Sequence, residues 1–271
     1  MTSYTDKYAE YSYGKYVSEL VGLAQKHQIS ADIIGYEEFE KIGRREPLYR
    51  LIINPKAKIN FCIVAGIHGE EIAGPFAILR ALQNPGKYFS TKVRYQIYPI
   101  LNPTGFDLKQ RHDDDDRQLN VINKKILKSK NFKEVKLFFD DIKNIKFDVF
   151  LSLHEEISNE EFYAFVYENT PVAIYEKIME ANKKYAKIFK NKTIEKFKTD
   201  KNGLVRNIHD QTFEDYFFSH KQTPISLCTE TPGQLPLATR IKINLQNIKI
   251  LSDYTLTSLE KPLGLEKLRK T

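Results

Sequence analysis

Six short runs rich in apolar, β-branched and aromatic residues alternate along the chain with segments whose apolar residues recur at helical spacing. The strand-like runs are Leu48–Pro55, Asn60–Gly66, Val93–Pro103, Phe147–His154, Phe162–Glu168 and Ile225–Gly233. The helical segments are Glu71–Gln83, Lys124–Phe139, Val172–Phe189 and Leu237–Leu251. This alternation predicts an α/β fold with a mixed, largely parallel central sheet flanked by helices. At 271 residues, we expect one domain over residues 1–271.

Four of the strand-like runs end in polar residues that can take part in chemistry. The sequences at these ends are AGIHGEE, PILNP, LSLHEE and CTETPG. The carboxyl ends of parallel strands lie at one edge of a sheet, where loops and helix N-termini converge and ligands bind. We therefore expect these polar residues to form one shared site.

His68, Glu71 and His154 are the candidate metal ligands at this site. An HxxE pair alone is weak evidence, because a salt bridge or a helix cap explains it equally well. His154, at the end of a second strand, completes a set of two histidines and one glutamate that is common in catalytic zinc sites and leaves a fourth position for water. Zinc lowers the pKa of such a water toward about 7. Glu230, at a third strand end, is the candidate base, because the residues next to Glu230, such as Thr229, cannot accept the proton.

Five motifs follow one another in a characteristic order: GIHGEE, NPTGFDLKQR, RQLN, LSLHEE and TETPG. Together they resemble the zinc carboxypeptidases of family M14 and the related succinylglutamate desuccinylase/aspartoacylase group. The resemblance covers about residues 61–233. It implies a zinc carboxypeptidase-like fold in which His68, Glu71 and His154 bind Zn²⁺. It also implies that Glu230 activates water and protonates the leaving amine, and that Arg111 stabilises the oxyanion.

The same resemblance implies three residues that bind the substrate. Asn120 matches an asparagine that contacts the substrate carboxylate, Arg117 matches a basic residue of the acyl-amino-acid branch, and Tyr216 is a candidate for the mobile tyrosine of these enzymes. An ion pair with the Asp113–Asp116 run, which we interpret as a solvated loop rather than a second metal site, explains Arg117 equally well. Val121 stands where relatives usually carry an arginine that grips the carboxylate.

Composition limits the remaining possibilities. A net charge of +7 is spread along the chain and accompanies no nucleic-acid-binding signature, which favours a solvated lysine-rich surface over a nucleic-acid partner. The N-terminal twenty residues lack a signal-peptide core and no segment reaches 18 apolar residues, so we expect a cytoplasmic protein without a membrane partner. Cys62 and Cys228 lie in apolar runs and are interpreted as buried thiols.

Three functions are compatible with these observations. The first is a zinc metallocarboxypeptidase that hydrolyses a peptide next to its C-terminal carboxylate. Either Arg117 or Arg206 takes the place of the arginine missing at Val121, or the enzyme tolerates an amide at that position. The second is an amidohydrolase that acts on an N-acyl amino acid. The third, of a different class, is a non-catalytic binding protein that retains the metal. The sequence leaves the oligomeric state open.

Overall fold

The computed structural model of the protein describes residues 11–39, 43–169, 171–194 and 196–255. The helices are α1 (Tyr13–Lys26), α2 (Ala73–Gln83), α3 (Pro85–Tyr88), α4 (Pro103–Leu108), α5 (Lys124–Lys128), α6 (Lys133–Ile142), α7 (Ile174–Asn182), α8 (Phe213–Ser219) and α9 (Leu237–Tyr254). The strands are β1 (Ser30–Phe39), β2 (Arg44–Ile53), β3 (Ile59–Ala65), β4 (Val93–Tyr98), β5 (Val149–Glu156), β6 (Glu161–Tyr167), β7 (Lys187–Ile188), β8 (Thr193–Ile194), β9 (Phe197–Lys198), β10 (Leu204–Arg206) and β11 (Ile225–Pro232). Residues 1–10, half of the N-terminal segment considered above, and residues 256–271 of the expected domain lie outside the described residues.

One mixed sheet organises the described residues in the order β1-β2-β4-β3-β5-β11-β6-β10, with β7 paired to β6. The pairs β4–β3, β3–β5, β5–β11, β6–β10 and β6–β7 are parallel. The pairs β1–β2, β2–β4 and β11–β6 are antiparallel. The prediction of a mixed, largely parallel sheet is therefore confirmed.

Helices cover both faces of the sheet, which explains why its central strands are apolar throughout. In β3, Phe61 and Ile63 point to one face and belong to a core shared with α1, α2, α7 and α9. Cys62 and Val64 point to the other face and pack with α6 and α8. This alternation follows from the two-residue period of a strand. Cys62 and Cys228 are both free and buried, as expected.

Two of the predicted helices are wrong in extent. The segment 124–139 forms two helices, α5 and α6, because Ser129 adopts an extended conformation after the short α5. The helix predicted over 172–189 ends at Asn182. Lys187 and Ile188, which the prediction placed in this helix, form the short strand β7 instead. Within the described ranges, no helix is both long enough and apolar enough to span a membrane.

The strands β3, β5 and β11 are adjacent, parallel and central in the sheet. Their carboxyl ends therefore meet at one edge. His68 and Glu71 lie just beyond the end of β3, and His154 and Glu230 lie in the last residues of β5 and β11, so the fold delivers these four residues to one place.

Candidate metal centre and active site

The loop between β3 and α2 carries His68 and Glu71 in a backbone conformation fixed by its neighbours. Gly66 has a φ of +59°, in the left-handed region that glycine adopts most easily. The carbonyl of Gly66 accepts the N–H of Asn102 at 2.9 Å. The Asn102 side chain donates to the Ile67 carbonyl at 3.2 Å and accepts the Gly105 N–H at 2.8 Å. The NPTG motif thus anchors the loop and caps α4 at the same time.

His68, Glu71 and His154, hereafter the His–Glu–His cluster, come together as the sequence predicts. Each residue is only 2% exposed. The Glu71 carboxylate spans the two imidazoles, with Oε1 at 2.6 Å from His68 Nδ1 and Oε2 at 2.8 Å from His154 Nδ1. The two Nδ1 atoms are 3.2 Å apart. Three potential ligand atoms therefore converge on one buried point.

The donor set of the cluster fits a metal ion such as zinc. Nitrogen ligands at about 2.0 Å from a tetrahedral ion lie roughly 3.3 Å from each other, close to the observed Nδ1–Nδ1 distance of 3.2 Å. The carboxylate oxygens lie nearer to the nitrogens than this, at ordinary hydrogen-bond distances. The imidazole pair is thus already spaced for a shared cation, and the cluster combines the imidazole and carboxylate donors that zinc prefers.

The electrostatics of the cluster differ between its members. Burial lowers the pKa of His68 and outweighs the attraction of Glu71. Burial acts in the same direction on His154, but the carboxylates of Glu71 and Glu230 overcome it and raise the pKa of His154 to about 9. Burial opposes ionisation of Glu71, yet its two histidine neighbours hold its pKa below the usual range. The cluster therefore keeps its carboxylate ionised in a buried place.

Gln118 is a site residue that sequence reasoning missed. Its Oε1 lies 3.2 Å from His68 Nε2, the ring nitrogen opposite to the one that faces the cluster. A partner at this position fixes the ring orientation of a metal-binding histidine. The only signal in the sequence was its place in the RQLN motif, two residues before Asn120.

Glu155 helps to hold the loop and the cluster in place. Its backbone N–H donates to Glu71 Oε2 at 3.1 Å. Its side-chain carboxylate accepts the N–H of Ala73, the first residue of α2, at 2.7 Å and forms an ion pair with Arg240. The buried carboxylate thus caps the helix that follows the loop.

Arg111 lies at the edge of the cluster and is accessible to a ligand. Its Nη1 is 3.3 Å from Glu71 Oε1, while 47% of its side chain is exposed. The remaining guanidinium donors are therefore free to face an anionic group bound at the site.

Glu230 lies on β11 directly opposite His154 of β5 in the parallel register. Burial raises the pKa of Glu230 to about 8, Glu71 adds to this effect, and His154 opposes it. The Cys228 thiol lies 3.5 Å from Glu230 Oε1. A carboxyl group with such a pKa can both accept and release a proton near neutral pH.

The acidic run that precedes Gln118 corrects the prediction of a solvated loop. Asp113 and Asp114 are buried, at 0% and 1% exposure. Asp113 Oδ1 accepts the N–H groups of Asp115 and Arg117, and Oδ2 pairs with the Arg117 guanidinium. These contacts pull the start of the run inward. The ion-pair interpretation of Arg117 therefore has direct structural support, and its role in substrate binding stays a prediction.

Asn120 and Tyr216 both belong to contacts of α8. Asn120 Oδ1 is 3.5 Å from the N–H of Phe213, the first residue of α8. Tyr216, on the same helix, stacks on His220 and meets the edge of Phe139. The contacts among the described residues do not join either side chain to the His–Glu–His cluster, so both substrate-binding roles remain predictions.

Comparison with known proteins identifies a family model and a set of similar folds. Residues 57–242 match the model of the succinylglutamate desuccinylase/aspartoacylase catalytic domain. No curated protein matches the chain significantly. A candidate metallopeptidase from Shewanella amazonensis has a TM-score of 0.76 and 23% identity, over 90% of this chain and 92% of that one. Another from Shewanella denitrificans has a TM-score of 0.76 and 20% identity, over 90% and 89% of the chains.

A metallo-carboxypeptidase from Burkholderia cenocepacia is a more distant structural match. It has a TM-score of 0.66 and 18% identity, over 91% of this chain and 70% of that one. At these identities the three solved structures establish a shared carboxypeptidase-like α/β fold and nothing finer.

Proposed function

Because this chain belongs to the succinylglutamate desuccinylase/aspartoacylase catalytic-domain family, we propose that it is a zinc-dependent hydrolase of an amide bond next to a carboxylate. The observation that carries the proposal is the buried convergence of His68, Glu71 and His154, with the Glu230 carboxyl group on the neighbouring strand and an accessible guanidinium beside it. We propose further that residues 1–271 form one catalytic domain.

His68, Glu71 and His154 would hold the zinc ion. When bound, zinc lowers the pKa of a water molecule and polarises a carbonyl group. Glu230 would accept the proton of the attacking water and return it to the leaving amine. The exposed donors of Arg111 bind the negative charge that develops on the carbonyl oxygen.

The first substrate class is a peptide hydrolysed at its C-terminal residue. The second is an N-acyl amino acid, and the match to the desuccinylase/aspartoacylase model over residues 57–242 favours it specifically. Val121 in place of the usual arginine also weakens the case for a strict carboxypeptidase, because a bidentate arginine is the ordinary clamp for a C-terminal carboxylate.

A substrate panel tests the proposal. Peptides with a free C-terminus, the same peptides as C-terminal amides, and N-acyl amino acids are incubated with the purified protein, with and without a chelator, and amine release is measured. Hydrolysis of free-acid peptides with rejection of their amides supports the peptidase reading. Release from N-acyl amino acids alone supports the second class. A zinc-loaded protein that hydrolyses none of them would favour the binding-protein alternative.

Glu230→Gln separates catalysis from metal binding. We expect the variant to keep zinc and to lose about 10²–10⁴-fold in kcat, because an amide cannot accept the proton. Glu180→Gln, the same change on an exposed residue of α7, is the matched control and should behave as the parent. Parental turnover in Glu230→Gln would show that another group is the base.

A further inference from the structure

The second ring nitrogen of His154 is buried on the side of the ring away from the His–Glu–His cluster. His154 Nδ1 lies against Glu71 and His68 Nδ1, so Nε2 points to the opposite side of the ring. Nε2 is shielded from solvent and has no hydrogen-bond partner among the described residues. The matching nitrogen of His68 contacts Gln118, so the two histidines differ in this respect.

Glu214 supplies a carboxylate next to His154. It lies on the first turn of α8 and is only 1% exposed. Glu214, His154 and Cys228 each offer an atom within 4.8 Å of the others. Glu214 Oε1 is shielded from solvent and, within the part of the chain that is described, has no hydrogen-bond partner. Among the described residues, Glu214 Oε1 and His154 Nε2 are thus two buried, unpaired polar atoms on neighbouring side chains that are not in direct hydrogen-bond contact, and the Ser152 hydroxyl is another polar group close to the Glu214 carboxylate.

The position of Glu214 is set by the sheet itself. Its backbone carbonyl accepts the Ser226 hydroxyl of β11 at 2.9 Å, and α8 packs against β5 and β11. Burial raises the pKa of Glu214, and the neighbouring His154 opposes that rise, which agrees with their proximity. Cys228 is a poor alternative acceptor, because burial keeps its thiol protonated and its sulfur contacts Glu230.

We propose that Glu214 is a positioning residue that accepts a hydrogen bond from His154 Nε2–H and so keeps Nδ1 directed at the metal ion. The inference rests on the proposed function, since it takes His154 as a metal ligand. A carboxylate behind a ligating histidine fixes its tautomer and raises its basicity, and loss of such a partner costs about 10–100-fold in metal affinity. Glu214 could not be identified from a sequence motif, because α8 lies between the LSLHEE and TETPG motifs.

Zinc affinity, measured by competition with a chromophoric chelator, tests the proposal without relying on turnover. We expect Glu214→Ala to raise the zinc Kd by about 10–100-fold and Glu214→Gln, which keeps an acceptor oxygen, to recover most of the loss. Glu134→Ala, the same change at a buried glutamate of α6 outside the site, should leave the zinc Kd unchanged. Thermal unfolding of each apo-protein monitors the fold.

His154→Ala distinguishes failure of this inference from failure of the metal site. If His154→Ala keeps parental zinc affinity, the metal assignment itself is wrong. If His154→Ala loses zinc but Glu214→Ala binds it as the parent does, only the positioning role is wrong. Two zinc ions per parent chain would instead make Glu214 a ligand of a second metal and overturn its role as a hydrogen-bond acceptor.

Nuclear magnetic resonance of the zinc-loaded protein gives a direct readout that a merely structural role would not change. We expect His154 Nε2–H to give a downfield, slowly exchanging resonance that shifts in Glu214→Gln, a nearly isosteric variant suited to this test even if Glu214→Ala does not fold. An unchanged Nε2–H resonance in Glu214→Gln would refute the hydrogen bond.

Discussion

The loop that carries His68 packs against the start of α4 with no room for a side chain at Gly69. A Cβ atom placed on Gly69 would lie 1.9 Å from the carbonyl carbon of Gly105 and 2.3 Å from the backbone nitrogen of Phe106. Both are backbone atoms, so no side-chain rotation can relieve the clash. Gly69→Ala therefore forces one of the two segments to move.

The size of that movement follows from the distances. An ordinary carbon contact begins at 3.4 Å, so the Gly69 loop and α4 must separate by about 1.5 Å. His68 is adjacent to Gly69 and would be carried away from Glu71 and His154. A displacement of about 1 Å in a catalytic site can cost roughly 10²-fold in rate, and overpacking costs about 1–3 kcal/mol or more of stability. We expect Gly69→Ala to lose both zinc affinity and stability.

The assay combines zinc titration with urea unfolding of the zinc-free protein. Gly22→Ala is the control, because a Cβ atom at this exposed position of α1 meets nothing within 4 Å. Ala at a helix interior should add up to about 1 kcal/mol of stability over Gly and leave zinc binding unchanged. If Gly69→Ala binds zinc and unfolds as the parent does, the close packing of the two backbones does not hold the cluster in place.

Two further predictions concern charged groups. Arg111→Ala should lower kcat by about 10²–10³-fold with little change in KM, since an oxyanion contact strengthens only in the transition state; a change in KM alone would make Arg111 a carboxylate clamp. Burial raises the pKa of Glu37 to about 12 from its ordinary 4.5, and the nearby carboxylates of Glu134, Asp113 and Asp114 add to this effect. The folded protein therefore keeps a proton on Glu37 that the unfolded chain releases. Stability should fall as pH rises from about 5 to 8, and Glu37→Gln should flatten this slope by up to about 1.4 kcal/mol per pH unit in urea unfolding; an unchanged slope would contradict the assignment.

The sequence was sufficient to predict the central sheet and the convergence of the cluster. Strands β3, β5 and β11 are buried on both faces, so they appear as continuous apolar runs with a sharp polar end. Parallel pairing then places the ends of the strands at one edge, and His68, Glu71 and His154 meet there. The apolar runs of the strands and their parallel pairing are therefore sufficient for this part of the prediction.

The residues behind the cluster could not be predicted in the same way. Gln118, Glu155 and Glu214 acquire their significance from contacts with residues far away in the chain, such as Gln118 with His68. Asp113 and Asp114 look like a solvated run by composition, and only the turn around Asp113 makes them buried. Strand β1 and helix α1 were also missed, since alternating polar and apolar residues of an edge strand and tyrosines on a helix face give weaker patterns.

The ion pairs of Arg117, Arg206 and Arg111 limit which of these residues can bind a substrate carboxylate. Arg117 is paired with Asp113 and Asp115, and Arg206 is paired with three acidic side chains. Withdrawing either guanidinium would leave a buried carboxylate without its partner, which is costly. Arg111 has one pair, at 3.3 Å, and a half-exposed side chain. If Arg111 stabilises the oxyanion, the carboxylate is left to neutral donors such as Asn120, and discrimination between a free acid and its amide should then be weak.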